Sequence, residues 1–156
     1  MTSEPAGTGL IERYLRTRGS RYFRGHRDGE FFYVANPRPR RLHVHLEICP
    51  THADMLVIRV APTCFFPAAD RSALADFADT WNRREHEVTA IVHDSSDPQR
   101  IGVVARRSQW VPGTTSFEDF AVLVDGTIAD AIDLFGRLAP VTGLPPTGPP
   151  LLRDAS

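Results

Sequence analysis

The fold is decided by the segment RLHVHLEICPTHADMLVIRVAP, residues 41–62. Its first half alternates apolar with polar side chains, which is the period of a β-strand with one buried face. The apolar positions of this strand are Leu42, Val44, Leu46 and Ile48. A polar turn at 50–54 and a second apolar run from Met55 follow. The segment therefore predicts an antiparallel hairpin.

The turn also predicts the register of this hairpin. If Cys49 pairs with Met55, the apolar residues of both strands fall on one face. The predicted pairs are Leu42 with Pro62, Val44 with Val60 and Leu46 with Ile58. On the other face, the same register places Arg59 opposite His45. Cys64 then lies roughly 30 Å from Cys49 along the ladder, so we expect two free thiols.

Periodicity predicts further elements on both sides of the hairpin. Helices are expected over 9–18, after a Thr8 cap, and over 70–86 and 116–138; strands are expected over 20–24, 30–35, 88–93 and 101–107. The order α-β-β-β-β-α-β-β-α predicts an α+β fold with helices packed on one face of an antiparallel sheet. One domain over 8–139 is expected, between a flexible start at 1–7 and a Pro-rich disordered tail at 140–156.

The composition is that of a small globular domain and argues against catalysis. The chain has 156 residues and a formal charge of -1, and its 18 basic residues are all arginines. Lysine Schiff-base chemistry and the phosphate-binding P-loop lysine are thereby excluded. Nucleophile-elbow, zinc-protease and paired-carboxylate motifs do not occur. We predict a protein that is not an enzyme and needs no cofactor, with an uncharacterised hydrolase as the second alternative.

The outer side of the predicted hairpin carries the strongest candidates for a binding site. His43, His45 and Glu47 share this side at a spacing of two, as metal ligands on a strand would. Arg59 opposite His45 opposes a cation, so we expect no metal site. The side chains predicted to contact a protein partner are His43, His45, Val57 and Arg59.

The first third of the chain is strongly basic and leaves a second function open. Residues 13–41 contain nine arginines against Asp28 and Glu30, with aromatic residues interleaved. Nucleic-acid binding through this segment is therefore the alternative prediction. The arginines are spread over a predicted helix and two strands, and no complete nucleic-acid motif accompanies them.

The run Phe77-Ala-Asp-Thr-Trp-Asn-Arg-Arg84 resembles the YbjN family, and so does the succession of elements around it over residues 8–138. The resemblance implies a fold like that of type III secretion chaperones, a tendency to form homodimers, and binding rather than catalysis. Family members are labelled as sensory transduction regulators. Only Trp81 and Asn82 transfer by position. Trp81 completes the apolar stripe of its helix and is therefore predicted to be a core anchor. Asn82 is predicted to tie the helix end to nearby backbone.

These observations predict a non-enzymatic, chaperone-like adaptor or regulator that binds a protein partner. We expect it to be cytoplasmic, because the first twenty residues contain no apolar core of a signal peptide. A homodimer is expected, a membrane partner is not, and nucleic acid is the less favoured partner.

Overall fold

The computed structural model describes residues 6–35 and 41–142. The helices in these ranges are α1 (Ala6–Thr17), α2 (Arg71–Asn82) and α3 (Phe117–Thr142), and a 3-10 turn at Ala68–Asp70 leads into α2. The strands are β1 (Tyr22–Arg24), β2 (Glu30–Ala35), β3 (Leu42–Ile48), β4 (Met55–Pro62), β5 (Phe66–Pro67), β6 (Thr89–Asp94) and β7 (Arg100–Trp110).

All described strands form one antiparallel sheet in the order β1-β2-β3-β4-β7-β6. Strand β5 pairs with the start of β7, on the side that β4 occupies further along. The predicted α+β fold is confirmed. Only β5 was not predicted, because two residues are too few to show a period of two.

The predicted register of the β3–β4 hairpin is also confirmed. Leu42 lies opposite Pro62, Val44 opposite Val60 and Leu46 opposite Ile58. The Cys49 backbone N–H donates to the Met55 carbonyl at 2.8 Å, which closes the hairpin where the turn predicted it. Both cysteines are free thiols, as expected.

The core lies between the three helices and one face of the sheet, which we call the inner face. Leu46 and Ile58 are 0% exposed on this face. From the helices, Leu15, Trp81 and Phe120 belong to the same buried cluster. The opposite side of the sheet is called the outer face; it is formed by the alternate residues of the same strands.

The helix ends differ from the predicted ones. Helix α1 begins at Ala6, so the predicted flexible start at 1–7 is wrong for its last two residues. Thr8 lies inside the first turn and does not cap it, because its buried hydroxyl has no hydrogen-bond partner. Helix α3 runs to Thr142, beyond the predicted end of the domain at 139. A proline in the last turn removes one backbone donor without ending the helix.

Helix α2 ends at Asn82, four residues before the predicted end near His86. The reason is tertiary, since the Trp81 side chain bonds to the backbone of Val88, just before β6, and the Asn82 side chain bonds to the backbone of Ala90 in β6. Ser116 does cap α3, because its hydroxyl accepts a hydrogen bond from the Asp119 backbone N–H at 3.1 Å. Of the predicted tail at 140–156, residues 143–156 lie outside the described residues.

Candidate partner-binding face

One row of side chains crosses the outer face at right angles to the strands. Its members are Phe23, Phe32, His45, Arg59, Arg106 and Thr89, each directly opposite the next on the neighbouring strand. We call this set the transverse row. Five strand spacings of roughly 4.8 Å give it a length of about 24 Å. It is apolar at the β1–β2 end and cationic at the β4–β7 end.

The apolar end of the transverse row is open to solvent. Phe23 is 63% exposed, and Phe32 and its same-strand neighbour Val34 are each 41% exposed. The Phe32 ring stacks on the His45 ring with 4.5 Å between the centroids. Clustered, exposed aromatic side chains on a soluble protein mark a surface that another molecule can cover.

Five side chains, two of them members of the row, form a closed ring of hydrogen bonds, here called the charged ring. His45 Nε2 lies 3.0 Å from Glu30 Oε2, and the Arg59 guanidinium lies 3.2 Å from His45 Nδ1. Arg59 also donates to Glu47 at 3.3 Å. Arg27 closes the ring by donating to both Glu47 and Glu30. Two carboxylates therefore face two guanidinium groups.

The hydrogen bonds of the charged ring determine the protonation of His45. Arg59 can only donate, so Nδ1 of His45 accepts and Nε2 carries the proton toward Glu30. Burial lowers the pKa of His45, and the charge of Arg59 acts in the same direction against the hydrogen bond to Glu30. Burial opposes ionisation of Glu30, but hydrogen bonds from His45 and the Arg27 N–H outweigh it and hold its pKa below the usual value. The ring is therefore electrically neutral.

Three members of the charged ring come close enough to be considered as metal ligands. Donor atoms of Glu30, His45 and Glu47 lie within 4.8 Å of one another. The sequence grouped His43 with His45 and Glu47, but His43 is exposed and Glu30 takes its place. Both carboxylates already accept hydrogen bonds from guanidinium groups, which a cation would have to displace. This donor set does not fit a metal ion.

Three of the four predicted contact residues are accessible on the outer face. His43 is exposed, and His45 and Arg59 are partly exposed members of the transverse row. Val57 shares this face opposite Glu47 but is only 5% exposed, so it offers little contact surface. Phe23 and Phe32 were not predicted as contact residues, because the aromatic run in this part of the sequence does not show which side chains share the outer face; the β1–β2 register decides it.

Most of the arginines of segment 13–41 that the structure describes are held by contacts within the chain. Arg13 lies over the Phe117 ring at 4.1 Å. The ion pairs of this segment join Arg16 and Arg24 to Glu12, Arg18 to Asp125, and Arg27 to Glu30 and Glu47. Each carboxylate offsets part of the local positive charge, which weakens the attraction for a polyanion.

Cys49 offers the thiol that a cysteine hydrolase would use as its nucleophile. Hydrogen bonds from Thr51 lower its pKa, and its Sγ lies 3.3 Å from the Thr51 hydroxyl. The nearby His52 ring instead packs edge-on against Trp110, with centroids 5.9 Å apart. The thiol is therefore paired with a hydroxyl rather than with a histidine base.

No family model matches this sequence, and no curated protein matches it. The structure is similar to the crystal structure of YbjN from E. coli, a "putative transcription regulator", with a TM-score of 0.60 and 15% identity over 81% of this chain and 86% of that one. The chain has a YbjN-like fold. An uncharacterised protein from Methanothermobacter thermautotrophicus also matches, with a TM-score of 0.50 and 13% identity over 88% of this chain and 99% of that one.

In this YbjN-like fold, Trp81 and Asn82 close one edge of the sheet. Trp81 is 4% exposed and its indole N–H donates to the Val88 carbonyl at 3.0 Å. The Asn82 side chain donates to the Ala90 carbonyl at 2.9 Å and accepts from the Ala90 N–H at 2.8 Å. Asp130 of α3 accepts from the Val88 N–H. Both predicted roles are confirmed, and this stretch of the β6 edge is closed to a further strand.

None of the helices in the described ranges combines the length and the apolar character needed to span a lipid bilayer.

Proposed function

We propose that this protein is a non-enzymatic, cytoplasmic adaptor or regulator that binds a segment of a partner protein across the transverse row. One observation carries the proposal. Phe23, Phe32 and Val34 form an exposed apolar patch on a sheet face that the helices leave uncovered. Burying such a patch is favourable, by about 25 cal/mol for each Å² of apolar surface removed from water.

Two further observations support protein binding over the alternatives. The acidic and basic groups of the charged ring neutralise one another, so the patch does not lie next to a free acid, base or nucleophile of this ring. Arg16, Arg18, Arg24 and Arg27 of segment 13–41 are paired with carboxylates, which disfavours nucleic acid. A role as regulator also agrees with the description of YbjN from E. coli.

The partner that fits is a protein segment with apolar side chains near one end and acidic side chains near the other. The row presents two phenylalanines, then a neutral histidine, then two arginines. Complementary charge and apolar contact along one line favour a single binding orientation.

The test is affinity capture from the native cytosol with the wild type and two variants, each compared by mass spectrometry. The double variant Phe23→Ser/Phe32→Ser removes the apolar end. The control, Val122→Ser, removes a side chain that is 72% exposed on α3, away from the row. We expect a defined protein that survives nuclease, is retained by the control, and is lost from the double variant.

Three other outcomes would contradict the proposal. Recovery of nucleic acid, with protein lost after nuclease, would move the site to the arginine-rich segment. Partners captured equally by all variants would place binding elsewhere. A homodimer by light scattering that becomes monomeric in the Phe23→Ser/Phe32→Ser variant would make a second copy the occupant of this face.

A further inference from the structure

The cationic end of the transverse row contains an arginine without a counter-ion. Within the described part of the chain, no carboxylate lies within ion-pair distance of Arg106, although this side chain is partly buried. Arg106 also lies directly opposite Arg59 in the sheet. Like charges opposite one another are destabilising, so this position favours an added negative charge.

Hydrogen-bond donors surround Arg106 on the same face. Thr89 lies opposite it on β6, and Ser108 follows two positions along β7. All three side chains line a shallow cavity of about 380 Å³. The carboxylate at its rim, Glu87, is already bonded to Arg107 at 2.5 Å. Of the two arginines that line the cavity, Arg107 is thus engaged by Glu87, and the cavity offers the guanidinium of Arg106 and two hydroxyl groups to an incoming oxyanion.

We propose that this cavity binds the carboxylate of an acidic side chain from the same partner segment that covers Phe23 and Phe32. This inference rests on the proposed function and names the chemistry that orients the partner. Arginine binds a carboxylate through two parallel N–H donors, and the hydroxyl groups of Thr89 and Ser108 can donate to the remaining lone pairs. The bound carboxylate also separates the charges of Arg59 and Arg106.

The spacing of the row predicts the spacing within the partner. Phe32 and Arg106 are separated by three strand spacings, about 14 Å. A helix rises 1.5 Å per residue, so a helical partner needs an acidic residue about nine positions from its apolar anchor. An extended partner needs the acidic residue about four positions from its apolar anchor.

The experiment selects binders from a displayed library of random 16-residue peptides on the full-length wild type, on Arg106→Gln and on the control Arg83→Gln. Arg83 is an exposed arginine directly after the last residue of α2, outside the row. We expect wild type and control to enrich peptides that combine an apolar residue with Asp or Glu at one of the two spacings. In fluorescence anisotropy, Arg106→Gln should bind such a peptide roughly three- to tenfold more weakly.

A change in the peptide distinguishes the loss of the contact between Arg106 and the acidic residue from general damage to the structure of the variant. Replacing the selected acidic residue by its amide should weaken binding to wild type and leave binding to Arg106→Gln unchanged. Selected peptides that are apolar without an acidic preference, and whose binding is lost in the Phe23→Ser/Phe32→Ser variant, would overturn this inference and keep the proposed function. Peptides that bind the Phe23→Ser/Phe32→Ser variant as well as wild type, or no enrichment at all, would overturn both.

Discussion

The two faces of the β3–β4 hairpin differ sharply although they come from the same strands. On the inner face, Leu46 and Ile58 are opposite each other and fully buried. One residue away on the outer face, His45 and Arg59 are opposite each other and partly exposed. The inner face is stabilised by packing against helices, whereas the outer face satisfies its polar groups through the charged ring.

This difference shows that side chains of the inner face stabilise the fold, whereas side chains of the outer face can contact a partner. Inner-face side chains contact many neighbours, so their replacement affects the whole fold. Apolar side chains at the end of the transverse row have few neighbours and contribute little to stability. Binding and folding can therefore be separated by substitutions on alternate residues of the same strands.

The largest expected effect is on the inner face. Leu46→Ala should lower the free energy of unfolding by about 2–5 kcal/mol, because it leaves a cavity in a site that is 0% exposed. Phe32→Ser on the outer face should cost about 1 kcal/mol or less. Urea unfolding followed by circular dichroism measures both. Equal losses in the two variants would mean that the outer face is also a stabilising surface.

A smaller loss is expected in the charged ring. Glu47→Gln removes the charge that Arg27 and Arg59 share and should cost about 1–3 kcal/mol, because the Glu47 carboxylate is buried. Glu85→Gln, at an exposed position, serves as the control and should change stability by under about 0.5 kcal/mol. The same unfolding measurement would contradict the account if the two variants were equally stable.

A still smaller loss of stability is expected at the β6 edge. Asn82→Ala removes both hydrogen bonds to Ala90 and should cost about 1–2 kcal/mol, since water can replace part of what is lost at an edge. The free energy that protects the Ala90 amide from hydrogen exchange should fall by a similar amount, so this amide should exchange faster. Asn82→Asp keeps the acceptor for the Ala90 N–H but not the donor, so its amide exchange should be intermediate. Unchanged exchange in Asn82→Ala would show that the side chain does not close this edge.

The smallest effect is the pH dependence from His45. Its folded-state pKa lies below the unfolded value of about 6.5, so the unfolded chain binds the proton more readily. The stability that the neutral ring provides is thus present above this value and falls as the pH drops through the folded-state pKa. Urea midpoints between pH 7.5 and 5.5 should fall less in His45→Gln than in wild type. His43→Gln, the exposed neighbour, should keep the wild-type slope; an unchanged slope in His45→Gln would contradict the account.

The sequence was sufficient for the hairpin, because alternation along β3 and the position of the turn fix both face and register. It also predicted that His45 and Arg59 are opposite each other. Glu30 and Arg27 were not predicted in the charged ring, since they reach it through the β2–β3 pairing and a loop. The early end of α2 was missed for the same reason, because side-chain bonds to β6 decide it.

The proposed function requires that a protein segment covers the outer face at the transverse row. Hydroxyl-radical footprinting of the full chain, with and without the captured partner, reads the exposure of individual side chains directly. We predict reduced oxidation of Phe23, Phe32 and His45 in the complex, and unchanged oxidation of Phe77 and Phe117 on the helical side. Protection of Phe77 and Phe117, with no change at Phe23 and Phe32, would contradict the claim.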